Sequence, residues 1–136
     1  MISKLSHIAI AVPDIDAAAK FYEAPLGLKL TGRETVPHRK VTVGFITVGE
    51  TRIELVQPDS PDSAIAKFLR ERGPGLHHIC FEVDDALAHF RELSAAGVRL
   101  VDSAPQPGAH GTTVFFIHPS ATGGVLIELS QPPKPD

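Results

Sequence analysis

Four segments of the chain recur in the same order. "HIAIAV" from His7 returns as "HICFEV" from His78 (78 − 7 = 71), and "GLKL" from Gly27 returns as "GVRL" from Gly97 (97 − 27 = 70). "VGFI" from Val43 returns as "VFFI" from Val114 (114 − 43 = 71), and "IELVQP" from Ile53 as "IELSQP" from Ile127 (127 − 53 = 74). A fixed order with offsets that drift by a few residues marks a tandem duplication whose loops differ in length. The 136 residues suffice for one real core, or for two very small modules that must share one. The expected organisation is therefore a single domain over 1–136, with a first module at about 5–58, a helical linker at about 59–75 and a second module at about 76–131.

Each copy spells the same elements. "HIAIAV" and "HICFEV" are short, β-branched or aromatic runs and read as strands. Asp14, and Asp84 or Asp85, then offer N-cap oxygens. Apolar residues follow at helical spacing, Ile15, Ala18, Ala19 and Tyr22 in one copy and Leu87, Phe90 and Leu93 in the other. Gly27 and Gly97 stand where a helix end calls for a left-handed residue. Three more strands follow in each copy, at about 28–35, 41–48 and 51–57, and at about 98–102, 112–117 and 124–130. Between the copies, "DSPDSAIAKFLRERGPG" reads as a helix capped by Ser60 or Ser63 and stopped at Gly73-Pro74-Gly75. The tail "QPPKPD" is expected to be extended and exposed, because proline has no donor for a sheet.

Period-2 alternation sorts the strand side chains into two faces. Ile8, Ile10 and Val12 oppose His7, Ala9 and Ala11, while Ile79, Phe81 and Val83 oppose His78, Cys80 and Glu82. On the last strands Glu54 opposes Ile53 and Leu55, and Glu128 opposes Ile127 and Leu129. The bulky face suits a helix, so each module is expected to present one histidine and one glutamate on its other face. The fold class that follows is α+β, with tandem βαβββ modules forming a curved mixed sheet around a metal cavity and helices on the outer face. Singly, a histidine opening a strand is ordinarily structural, and a glutamate within "IEL" ordinarily faces solvent. Recurrence of both at matched positions distinguishes His7, Glu54, His78 and Glu128 as one ligand set. Two imidazoles and two carboxylates suit a borderline divalent ion such as cobalt, manganese, nickel, zinc or iron, with positions left open for water or substrate. Such an ion also compensates carboxylates whose burial unpaired is costly. His77 falls on the opposite face from His78, and His38, His89, His110 and His118 have no matched counterparts, so these are read as loop or surface residues.

Composition narrows the partners. With 13 Lys plus Arg against 16 Asp plus Glu, the net charge of −3 gives no electrostatic case for nucleic acid or an anionic membrane surface. The single cysteine, Cys80, leaves no intrachain disulfide and fits a reducing compartment. The first apolar run is broken by His7 and ended by Pro13 and Asp14, too short for a signal core or a membrane span. The expectation is a cytoplasmic protein acting on a small molecule.

The stretches "HIAIAVPDIDAAAKFY", "LGLKL", "SAIAKFLRERGPGLHHICFEVDD", "GVRL" and "HPSATGGVLIEL" resemble, in order, those of the vicinal oxygen chelate superfamily, and within it the methylmalonyl-CoA epimerase family, over roughly residues 5 to 131. That resemblance implies the same four ligands, a divalent metal of the cobalt type, an acyl-CoA substrate and a homodimer. It also implies that a metal-stabilised enolate carries the inversion, with Glu128 and Glu54 as the available proton-transferring carboxylates and Glu128 the favoured one. Where some relatives carry a second acid/base glutamate this chain has Val43, and where relatives read "HPK" it has His118-Pro119-Ser120. Coenzyme A phosphates call for cations, for which Arg33, Arg39, Lys40, Lys67, Arg70 and Arg72 are candidates. The same ligand set would also serve a glyoxalase I-type lactoylglutathione lyase, and a metal-free ligand-binding protein of the same fold is the alternative of another class.

Overall fold

The computed structural model, which describes residues 1–135, has strands Ile2–Ala11 (β1), Leu30–Val36 (β2), Val41–Val48 (β3), Thr51–Pro58 (β4), Gly75–Val83 (β5), Gln106–Pro107 (β6), Thr113–Ile117 (β7) and Ile127–Gln131 (β8). Its helices are Ile15–Glu23 (α1), Ala64–Arg72 (α2), Ala86–Ala95 (α3) and Pro119–Thr122 (α4). The class is α+β with mixed strand pairing, as the repeated pattern requires. Two compact units divide the chain, one of His7–His77 and the other of Met1–Ser6 with the chain from His78 onward. The strand β1 thus gives its first residues to one unit and its last to the other.

In the His7–His77 unit the strand order is β2-β3-β4-β1, antiparallel except for the parallel β4–β1 pair. Its core joins Val12, Ile15, Ala19, Ile46 and Leu55, with Ile10 and Ile53 packed against them. These are the bulky faces of β1 and β4 against the apolar stripe of α1, as the alternation predicts. Gly44 permits the close approach of α1 to β3, since a Cβ there would lie 2.8 Å from the Ile15 Cγ2 atom.

In the other unit the order is β5-β8-β7-β6, with β5–β8 parallel and the other pairs antiparallel. Val83, Ala86, Phe115 and Leu129 form its core, flanked by Phe81, Phe90 and Ile127. The rings of Phe90 and Phe115 meet edge to face at 5.2 Å. Phe115 is fully buried, which stabilises by about 1.5–3 kcal/mol before packing terms.

The duplication extends to the helix caps. Asp14 accepts from the Ala17 amide at 2.9 Å, and Asp85 accepts from the Ala88 amide at 3.1 Å. The final glutamine of each "IELxQP" run caps the same helix from across the unit. Gln57 Oε1 accepts from the Ile15 amide at 2.9 Å, and Gln131 Oε1 from the Ala86 amide at 2.8 Å. Those amides are among the donors that a helix start leaves without intrahelical partners. At the other ends, Gly27 and Gly97 take φ of 70° and 79°, and Leu28 and Val98 donate back to the Tyr22 and Leu93 carbonyls. The linker helix is α2, with Ser63 as the N-cap and Gly73 after its end.

One expected strand does not form. Residues 98–102 make a single bridge, Leu100 to Ile117, and a two-residue strand at Gln106–Pro107 pairs with β7 instead. The Asp102 carboxylate accepts the Phe116 amide at 2.9 Å, so a side chain takes the place of the next rung of the backbone ladder there. The last strand begins at Ile127 rather than at 124, and α4 precedes it, with His118 as the N-cap and Pro119 in the first turn. Residues 132–135 of the expected extended tail carry no strand and are exposed, and Asp136 lies outside the described residues. No helix among the described residues is long and apolar enough to cross a membrane.

Candidate metal centre

In the His7–His77 unit, β1 and β4 run parallel in a register that sets Ala9 opposite Glu54 and His7 opposite Arg52. His7 and Glu54 then share one face, and His7 Nδ1 lies 3.2 Å from Glu54 Oε2. Both are buried, at 5% and 6% exposure. The adjoining positions Ala9 and Ala11 are fully buried, and their small side chains leave room on that face. Arg52 closes on the same carboxylate, Nη2 at 3.0 Å and Nε at 3.3 Å from Oε2. Its guanidinium stands 5.9 Å from the Phe45 ring centroid, and Phe45 is the β3 partner of Glu54.

The other unit repeats this construction. The strands β5 and β8 run parallel with Cys80 opposite Glu128, so the glutamate again faces the residue two after the histidine. His78 Nε2 lies 2.9 Å from Glu128 Oε1, with both residues buried. Phe116, the β7 partner of Glu128, meets the His78 ring edge-on at 5.0 Å. Cys80 is a buried cysteine on this face, outside any disulfide.

Each unit therefore brings together the histidine and glutamate that the alternation selects. A test of fit to a metal comes from the donor spacing. Ligands bound at about 2.1 Å in adjacent positions of a first-row ion stand roughly 3 Å apart, which the 2.9 Å between His78 Nε2 and Glu128 Oε1 matches, while His7 and Glu54 lie in contact at 3.2 Å through Nδ1 and Oε2. Burial, donor type and spacing all fit a divalent ion with mixed nitrogen and oxygen ligands.

The remaining histidines lie elsewhere. His77 turns away from His78 and sets its ring edge against Phe68 at 5.0 Å. His118 caps α4 by accepting the Ser120 amide at Nδ1, and His89, on α3, lies 3.7 Å from Asp84. His38 belongs to the short 3-10 turn at Pro37–Arg39, and His110 takes a left-handed φ of 58° in the turn at Ala109–Gly111. Val43 is buried in β3 on the face of Phe45 and offers no proton. Several of the candidate phosphate-binding cations are engaged within the chain. Arg33 pairs with Asp16 at 2.6 Å, which raises its pKa, and Lys40 pairs with Asp62 at 2.5 Å. Arg70 donates to the Pro61 carbonyl, and Arg72 stands over the Phe68 ring. Arg52 is the functional-face residue that motif reading passes over. The signal was present in the repeat, where "TRIELVQP" sets an arginine against the leucine of "VLIELSQP".

The chain belongs to the Glyoxalase/Bleomycin resistance protein/Dioxygenase superfamily, whose model matches residues 6–116. An ethylmalonyl-CoA/methylmalonyl-CoA epimerase of Cereibacter sphaeroides is 48% identical over 134 residues, covering 96% of this chain and 99% of that protein. The crystal structure of methylmalonyl-CoA epimerase from Mycobacterium tuberculosis is 37% identical, with a TM-score of 0.92 over 98% of this chain and 90% of that one. A variant of the Streptomyces coelicolor epimerase in complex with 2-nitronate-propionyl-CoA is 31% identical, with a TM-score of 0.93 over 98% of this chain and 100% of that one. Within the superfamily, the chain is a member of the methylmalonyl-CoA epimerase family.

Proposed function

We propose that this protein epimerises methylmalonyl-CoA, using one divalent ion, cobalt in the first instance, held jointly by His7, Glu54, His78 and Glu128. The observation that carries the reading is the pair of buried His–Glu contacts, formed at the same register in both copies and at 3.2 and 2.9 Å. Manganese, nickel and zinc fit the same donors. A shared ion makes the two units one functional domain. The substrate class is supported by the acyl-CoA named with the relatives, and a homodimer in the cytoplasm is the expected setting.

When bound, the ion supplies Lewis acidity that stabilises the enolate left as the α-proton departs. The chain's own residues do the rest. Glu128 takes the α-proton, as a carboxylate with a histidine neighbour on a buried face can do. Glu54 is assigned as a ligand, because two donors of the Arg52 guanidinium hold its Oε2 atom. Val43 cannot supply the proton that returns to the opposite face of the carbon, so that proton comes from solvent water, and Glu128 gives up the one it has taken to solvent.

The test is exchange at the α-carbon. Methylmalonyl-CoA incubated in deuterium oxide with the cobalt-loaded protein is expected to take up deuterium, and a chelator is expected to stop it. Exchange that proceeds equally without metal, or not at all, overturns the proposal. Turnover of methylglyoxal with a thiol in place of that exchange would instead assign a glyoxalase I-type reaction.

A further inference from the structure

On the face that carries the His–Glu pairs, position 52 is arginine in the first copy, and its counterpart in the second (52 + 74 = 126) is leucine. The Arg52 side chain is 31% exposed, yet its head is fixed by two bonds to Glu54 Oε2 and by the Phe45 ring. His7 Nδ1 approaches the same oxygen. The side-chain contacts of Glu54 with Arg52 and His7 thus all meet Oε2, and Oε1 is the atom it can offer to an ion.

We propose that Arg52 is a positioning residue that keeps Glu54 a one-oxygen ligand and so preserves two open positions at the metal for a chelating substrate. This rests on the shared ion proposed above. A carboxylate can bind an ion through one oxygen or both. A six-coordinate ion with four protein ligands has two positions left, and a glutamate that swings to use both oxygens removes one. The guanidinium fork engages a carboxylate oxygen in fixed geometry, which a leucine cannot do. Removing Arg52 also takes a positive charge from beside the cation, so the ion should be retained while its open positions are lost.

The experiment compares wild type, Arg52→Leu and Arg52→Lys, each loaded with cobalt. The readouts are cobalt affinity, the visible spectrum, and the shift of that spectrum by malonate, a dicarboxylate that needs two adjacent positions. Arg52→Leu is expected to hold cobalt at least as tightly as wild type, with malonate affinity and kcat/KM each lower by about tenfold or more. Arg52→Lys, which keeps charge without the fork, is expected to fall between the two, and decides the matter should the leucine variant fail to fold. Wild-type malonate affinity in the folded variants overturns the proposal. Loss of cobalt from folded Arg52→Leu also overturns it, because Arg52 would then build the site rather than govern its open positions. Wild type that binds no cobalt sinks the shared-ion reading and the proposal with it, whereas wild type that binds cobalt and malonate beside an unchanged Arg52→Leu sinks the proposal alone.

Discussion

The two copies of the module agree in scaffold and differ around the matched glutamates. Both place a histidine at the start of a buried parallel strand pair and a glutamate opposite the residue two further on. Both cap the following helix with an aspartate and with the glutamine of the last strand. Around Glu54, however, stand Arg52 and Phe45, while the corresponding positions beside Glu128 are Leu126 and Phe116, the latter turned edge-on to His78. A duplication begins with two equal copies, and one charged substitution suffices to set the surroundings of Glu54 apart from those of Glu128. The lesson is that symmetry reports the scaffold and its breaking reports the chemistry.

The sharpest way to break this comparison is to give both glutamates the same change. Glu128→Gln keeps a ligand oxygen and removes the base, so kcat should fall by about 10²–10⁴ with cobalt content unchanged. Glu54→Gln should keep cobalt and lose less than about tenfold in kcat, since its assigned role needs only an oxygen. Metal analysis must accompany both rates, because lost metal imitates lost chemistry. Equal losses would mean that the two glutamates share one role, and an active, metal-loaded Glu128→Gln would reduce Glu128 to a ligand.

A smaller effect tests the claim that the scaffolds are equal. Gln57→Ala and Gln131→Ala each free one helix-start amide in a part-buried setting, and each should cost about 1 kcal/mol in urea unfolding. A difference of several-fold between them would show that the caps are not equivalent. The smallest effect belongs to the loop before α2, where Lys40, with the Ser60 hydroxyl, holds the Asp62 carboxyl down to about 2 from 3.8. A depressed carboxylate stabilises above its unfolded value and loses that contribution as pH falls through its folded one. Lys40→Ala should therefore lower the urea midpoint slightly above pH 4 and match wild type near pH 2. The group is fully exposed, so the gap is small and shrinks further with salt.

Much of this was legible in the order of residues. The repeat shows which strands correspond, and alternation alone separates Ile10, Val12 and Leu55, which reach the helix-side core, from His7 and Glu54, which do not. The caps at Asp14 and Ser63 follow from local chemistry. Residues 98–102 did not become a strand because Asp102 intercepts the Phe116 amide, a contact between positions 14 apart that no local pattern encodes. The long-range caps from Gln57 and Gln131 escaped for the same reason, since they depend on where β4 and β8 end relative to α1 and α3. Arg52 escaped because a search for matched positions passes over the one that does not match.

The central claim is that each copy delivers one His–Glu pair to a single ion, and metal stoichiometry tests it most directly. Cobalt bound per chain should be measured by elemental analysis after equilibrium dialysis for wild type, His7→Ala, His78→Ala and, as a control on the opposite face, His77→Ala. The account predicts one ion per chain in wild type and in His77→Ala, and none in His7→Ala or His78→Ala while circular dichroism shows the fold intact. Two ions per chain in wild type, or a full ion retained after loss of either His7 or His78, would contradict it.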